Sequence, residues 1–138
     1  MPRAVLDPNV LVSALISPSG ASAQLLLELR AGAFELVTSP LLLGELSEVL
    51  RREKFQRYVP EAEVGAYIDL LRRESVMLED PDPPSEPVGV DPDDEYLIAL
   101  ARVARVDALV SGDSHLVSLR HRLPVFTPRE FLALLEKD

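Results

Sequence analysis

At 138 residues, 47% hydrophobic and 27% charged, the chain has an ordinary globular composition and the length of one domain with its own core. It has no cysteine, which excludes a disulfide framework and a thiolate metal site, and no apolar run approaches the roughly 20 residues of a membrane span. A net charge of −9 counts against a nucleic-acid partner when taken whole, but it is not evenly spread.

From Glu79 to Glu95 there are eight acids and no base, which leaves 15 of the 23 acids against 14 Lys and Arg elsewhere. The acidity is local and asks for a local cause. The opening "MPRAVLDPNV" lacks the apolar core and cleavage site of a signal peptide, so a cytoplasmic protein is expected.

In chain order, "RAVLD" reads as a buried strand, and "PNVLVSALIS" follows with helical spacing of Val10, Leu11, Ala14 and Leu15. "SPSG" breaks that helix. Ser22 is then expected to cap a helix through "AQLLLELRAG", closed by Gly32. "FELVT" is the second strand. "SPLLLGELSEVLRR" predicts a helix with Ser39 as N-cap, Pro40 in the first turn and Leu42, Leu43, Leu46, Val49 and Leu50 on one side. A polar link leads to "PEAEVGAYIDLLRRE", a helix with Val64, Tyr67, Ile68 and Leu71 inward. "SVMLE" is a third strand and "DPDPPSEPVGVDP" a proline-rich loop. A helix through "DDEYLIALA", the strand "DALVS", the turn "GDSHL", the strand "LPVFT" and a helix from Pro128 complete the chain. Short strands without polar alternation, separated by helices, predict one α/β domain over residues 1–138: a mainly parallel sheet covered on both faces.

In such a sheet, ligands sit outside the carboxyl ends of the strands. Asp7 follows "AVL" and Asp113 follows "ALVSG", so both fall on that edge. Asp94, opening a helix, and Glu45, in the second turn of the helix after "FELVT", lie near it too. Carboxylates about 4 Å apart repel by roughly 4 kcal/mol per pair at an effective dielectric near 20. With only two lysines and two histidines in the chain, a divalent cation is the expected counter-charge, and Mg²⁺ or Mn²⁺ suits carboxylate and water ligands. A site of that kind activates water for phosphodiester hydrolysis.

"VLDPNVLVSAL", "LLGELSEVL", "DPDDEYLIALA" and "ALVSGDSHL", in that order and spacing, resemble the PIN domain. The nearest branch is the toxin components of toxin–antitoxin pairs, relatives of VapC. The resemblance covers nearly the whole chain and implies a three-layer α/β/α sandwich and a metal-dependent endoribonuclease. It implies Asp7, Glu45, Asp94 and Asp113 as catalytic metal ligands, with Asn9 and Ser111 in support. It also implies a homodimer, for which the apolar surface of "AQLLLELR" and "VGAYIDLLRR" argues as well, and an antitoxin partner beside the RNA substrate. Pro8 departs from the threonine common in the family, which removes a hydroxyl but no ligand. Helical spacing does not separate Asp93 from Asp94. The family pattern, with small residues at Ala99 and Ala101, favours Asp94.

Other residues have plainer readings. Asp91 is an N-cap before Pro92. Asp93 and Glu95 complement a helix dipole. Glu79, Asp80, Asp82 and Glu86 belong to a solvated loop, and His115 to the surface. Arg51 and Arg52 are weak candidates for RNA phosphate, as are Arg72 and Arg73, against a solvated helix face. A haloacid-dehalogenase-type phosphatase needs an aspartate where Asn9 stands, and a response-regulator receiver needs a late lysine that Lys137 does not supply. Two further readings stay open here: a PIN-fold nuclease of RNA maturation without an antitoxin, and a non-catalytic PIN-fold interaction module.

Overall fold

The computed structural model describes residues 1–82, 86–89 and 91–137. Pro83, Pro84, Ser85 and Val90 of the expected proline-rich loop lie outside the described residues. The chain opens with β1 (Arg3–Leu6), α1 (Pro8–Ile16), α2 (Ala21–Arg30) and β2 (Glu35–Thr38). Next come α3 (Pro40–Leu50), α4 (Glu53–Gln56), α5 (Glu61–Glu74) and β3 (Ser75–Met77). A 3-10 turn (Pro92–Asp94) leads into α6 (Glu95–Val103), then β4 (Ala108–Val110), α7 (Ser114–Val117), β5 (Val125–Phe126) and α8 (Pro128–Glu136).

Local chemistry sets these boundaries. Asp7 caps α1 by accepting from the Asn9 amide, and Pro8 takes the first helical position, where no N–H is needed. Ser39 does the same for α3 with Pro40 behind it, and Thr127 and Glu130 close a capping box on α8. Gly32, at φ 82°, ends α2: its amide bonds the Leu29 carbonyl and the Ala33 amide bonds that of Glu28. The other end of α2 corrects the sequence reading. The cap is Gly20, whose amide closes a turn on the Ser17 carbonyl, so the helix starts at Ala21 and Ser22 lies inside its first turn. The polar link contains the single turn α4, and the stretch read as a plain turn contains α7.

All five strands are parallel, in the order β3-β2-β1-β4-β5. With crossovers of the usual right hand, the connections from β1 toward β3 fall on one face and the return connection through α6 on the other. α1 packs on α2 and α3, α8 packs on α2, and α6 packs on β1 and β4. The core is mainly aliphatic: Ala4, Val5, Leu36, Val37, Ala108 and Leu109 of the three central strands are almost wholly buried. Val64, Tyr67, Ile68 and Leu71 of α5 all point inward, as their spacing predicts. β3 is an edge strand and is less covered than expected, with Val76 39% and Met77 36% exposed. No described helix is long and apolar enough to cross a membrane.

β1 connects leftward to β2, whereas β4, its neighbour, connects rightward to β5. The crevice between them is the switch point at which an open parallel sheet receives ligands.

Candidate active site

Both strands of the switch point end in the same way: an apolar strand, then a carboxylate that caps the next helix. Leu6 pairs with Val110, and the Asp7 amide donates to the Val110 carbonyl at 2.9 Å, which brings the two strand ends level. Ser111 ties them together. Its hydroxyl donates to Asp7 Oδ2 at 2.8 Å and accepts from the Asp113 amide at 3.0 Å. Asp7 Oδ1 accepts from the Asn9 amide at 3.0 Å, so both oxygens of this buried carboxylate are engaged. Asp113 caps α7, accepting from the His115 amide at 2.8 Å.

Asp7, Glu45, Asp91, Asp93, Asp94 and Asp113 line one cleft of about 190 Å³ at this switch point. All four acids singled out in the sequence therefore come together, with Asn9 on the wall and Ser111 buried behind Asp7. Asp94 sits at the N-cap position of α6, but its side chain caps nothing. Asp91 holds the 3-10 turn, accepting from the Asp93 amide at 3.0 Å, as capping chemistry predicts.

The electrostatics are those of like charges held close. Burial raises the Asp7 pKa above its ordinary value, with a further push from Asp113, against the Asn9 and Ser111 hydrogen bonds that lower it. Asp94 is pushed up to about 6, first by burial and then by Asp113, Asp91 and Asp7, with a small opposing pull from His115. Arg52 lines this cleft and is the only base that does so among the described residues. Its neighbour Arg51 faces elsewhere, paired with Glu61 at 2.7 Å and hydrogen-bonded to Ser47. His115 is exposed, its ring 3.5 Å from Asp113. Arg72 pairs with Asp69 on the outer surface of α5.

Sequence reasoning missed Tyr96. Its hydroxyl donates to Glu45 Oε2 at 2.5 Å and ties that carboxylate of α3 to α6. The signal was slight: a tyrosine in the apolar stripe of α6, two residues after Asp94. Two acids also do more than expected. Asp80 is no solvated loop residue, since it accepts from the Leu41 amide at 2.9 Å in the first turn of α3. Glu95 does not merely complement a dipole. It accepts from the Val88 and Gly89 amides at 2.7 and 2.8 Å, fastening the preceding loop to α6.

A PIN domain profile matches residues 3–115, a span that holds every acid of the cleft. The chain belongs to the PIN domain family. Over 148 aligned residues it is 28% identical to an uncharacterized protein of Methanocaldococcus jannaschii, MJ1680, spanning 98% of this chain and 92% of that one. Among solved structures it is similar to VapBC2 from Rickettsia felis bound to a DNA fragment from their promoter. There the TM-score is 0.62 at 15% identity, over 91% of this chain and 98% of the other. PAE2754 from Pyrobaculum aerophilum matches with a TM-score of 0.63 at 17% identity, over 99% and 97%. At such identities the likeness is one of fold, and the five-stranded parallel sheet flanked by helices is that PIN fold.

The donors of this PIN cleft suit a hard divalent cation in kind, being carboxylate oxygens with no sulfur or deeply set nitrogen. No three acidic or histidine side chains among the described residues form a closed ligand set as they stand. That is compatible with Mg²⁺, which retains several waters and needs only one or two carboxylates beside substrate phosphates.

Proposed function

We propose that this chain is a Mg²⁺- or Mn²⁺-dependent endoribonuclease, acting in the cytoplasm as the toxin of a toxin–antitoxin pair. One observation carries the reading: a cleft of converging acids at the switch point of a PIN fold, with the Asp94 carboxyl pushed up to about 6 by burial and then by its acidic neighbours. PIN domains are generally nucleases, and the likeness in fold to VapBC2 supports the toxin assignment.

In this reading Asp7, Glu45, Asp94 and Asp113 hold the cation, which when bound activates water and offsets phosphate charge. The chain's own residues do the rest. Ser111 and the Asn9 amide fix Asp7, and Tyr96 fixes Glu45, so two carboxylates are oriented before any ligand arrives. Arg52, which lines the cleft, would donate to a phosphate oxygen. An antitoxin suits the same cleft if it presents an Arg or Lys, whose charge would stand in for the cation.

We extend the proposal to a homodimer. Leu15, Leu26, Leu27 and Leu70 line an apolar groove between α1, α2 and α5, and Leu27 is 61% exposed there. A second copy covering this groove would bury that surface.

The deciding experiment compares RNA cleavage by the unsubstituted chain and Asp94→Asn, with Mg²⁺ or Mn²⁺ and with chelator. Cleavage lost in both the variant and the chelated sample is expected. Cleavage that persists in chelator removes the metal reading. Growth arrest on expression, relieved by a co-expressed neighbouring gene product, separates a toxin from a nuclease of RNA maturation. Light scattering that returns a single 15.2 kDa species at high concentration removes the dimer.

A further inference from the structure

Beside the acidic cleft lies a second cavity, of about 330 Å³, between α1, the start of α2, the loop after β4 and the start of α8. The two share Asn9 and Asp113 as a common wall, so they are contiguous. Their chemistry differs sharply. Beyond the shared wall, the second is lined by Ser13, by Ser22 of the first turn of α2, and by Val10, Gly112 and Pro128.

That helix end is unsatisfied. Gly20 offers no capping side chain and the first turn contains no acid. The amides of Ala21, Ser22 and Ala23 donate to no acceptor among the described residues. A second observation concerns a side chain and not the backbone. Ser22 is 92% buried, lines the cavity, and its hydroxyl has no hydrogen-bond partner among the described residues. The Ser22 hydroxyl, facing the cavity beside free amides at the positive end of a helix dipole, suits a tetrahedral anion.

We propose that this cavity binds a phosphate of the RNA backbone adjacent to the scissile one; the assignment rests on the nuclease reading above. A ligand whose scissile phosphodiester occupies the acidic cleft carries its next phosphate toward the shared wall. The contacts are backbone amides and hydroxyls, with no aromatic platform, so they position the strand without reading its sequence. Asp113 on the shared wall opposes an anion, so a divalent cation in the cleft strengthens binding in the second cavity.

The test uses the full chain in two arms. In the first, ¹⁵N-labelled protein in magnesium buffer is titrated with sodium sulfate. Saturable shifts at the Ser22 and Ala23 amides are expected. In the second, single-stranded mixed-sequence RNA is bound to the Asp94→Asn chain with a further substitution at Ser22 or Ser13. Ser22→Ala should weaken binding about fivefold, and Ser22→Asp or Ser13→Asp at least about tenfold, by loss of a hydrogen bond or by like charge. Thermal melts accompany each variant. Should Ser22→Asp melt early, the half-buried Ser13→Asp carries the arm. Absent sulfate shifts at Ser22 and Ala23 overturn the proposal. So do sulfate shifts with RNA affinity unchanged in both aspartate variants, which would mean an adventitious ion only. Failure of the unsubstituted chain to cleave RNA with Mg²⁺ or Mn²⁺ overturns the nuclease reading instead, and the sulfate arm still reports on the anion site.

Discussion

Asp7 and Asp94 face one cleft and are held in opposite ways. Asp7 is buried, caps α1, and has both oxygens occupied by the Asn9 amide and the Ser111 hydroxyl. Asp94 stands at a capping position but caps nothing, and its charge is opposed by three other carboxylates. Asp7 is therefore part of what holds the two strand ends together, though burial raises its pKa too, whereas Asp94 has no such bonds to offset the cost of its charge. The same residue type in the same cleft should give different mutational signatures.

The largest effect expected is on cleavage. Asp94→Asn should lower kcat by a factor of about 10³ or more, as for loss of a metal ligand, with the fold intact. Asp93→Asn, exposed at the same cleft, should cost only a few-fold. Single-turnover rates under saturating Mn²⁺ check this. An inactive Asp93→Asn beside an active Asp94→Asn would move the ligand by one residue. Asp7→Asn should also abolish cleavage, with a smaller gain in melting temperature at pH 7 than Asp94→Asn gives. The amide can keep its oxygen on the Asn9 N–H only by turning its NH₂ toward Ser111, whose own hydroxyl proton then loses its acceptor. That loss costs about 1 kcal/mol, set against the repulsion relieved.

Stability against pH sharpens the contrast. The Asp94 pKa is raised from 3.8 to about 6, so the folded state binds its proton more tightly than the unfolded state does. Protonated Asp94 favours the fold, and this benefit is full below about pH 3.8 and is lost as pH rises through about 6. In metal-free protein, Asp94→Asn should therefore raise the melting temperature at pH 7, and the gain should vanish by pH 3.8. Mg²⁺ added to the unsubstituted chain should give a comparable rise at pH 7, because a ligand that binds only the folded state stabilises it. If melting of the metal-free variant follows that of the unsubstituted chain across pH 4 to 7, the charge of Asp94 costs the fold nothing.

Why some of this was legible in the sequence and some not follows from where partners lie. Asp7 and Asp113 each end an apolar strand and begin a helix, a local pattern that also predicts which sheet edge they occupy. The parallel sheet itself was legible because strand and helix periodicities alternate cleanly. Partners distant in the chain were not. Asp80 binds an amide 39 residues earlier, and Tyr96 reaches a carboxylate 51 residues earlier. Arg51 and Arg52 are indistinguishable as sequence, and only the end of α3 turns one to Glu61 and the other into the cleft. α4 and α7 are single turns, too short for any periodicity to show. Ser22 misled because serine commonly caps helices, and here Gly20 had already begun the turn.

Tyr96 supplies a smaller effect. Tyr96→Phe leaves Glu45 Oε2 without its donor but removes no proposed ligand. A few-fold fall in kcat with little change in metal affinity is expected from looser orientation of one carboxylate. A fall as large as that of Asp94→Asn would make Tyr96 a participant and not a positioning residue.

The smallest effect is at Asp91, and it separates two roles of one side chain. Asp91 caps the 3-10 turn through the Asp93 amide, and its charge is among those that raise the Asp94 pKa. Asp91→Ala removes both, so the loss of the cap, about 1 kcal/mol, is partly offset by relief of repulsion. Asn caps a helix about as well as Asp but has no charge, so Asp91→Asn retains the first role and removes only the second. In metal-free protein at pH 7, Asp91→Asn should melt slightly above the unsubstituted chain and Asp91→Ala slightly below it. The Asp94 carboxyl, followed by its side-chain carbon resonance, should titrate lower in both variants, because both remove the same charge. Equal melting of the two variants would mean that the cap contributes nothing. An unmoved Asp94 titration would mean that Asp91 does not bear on the cleft, and that the strain on Asp94 comes from burial, Asp113 and Asp7 alone.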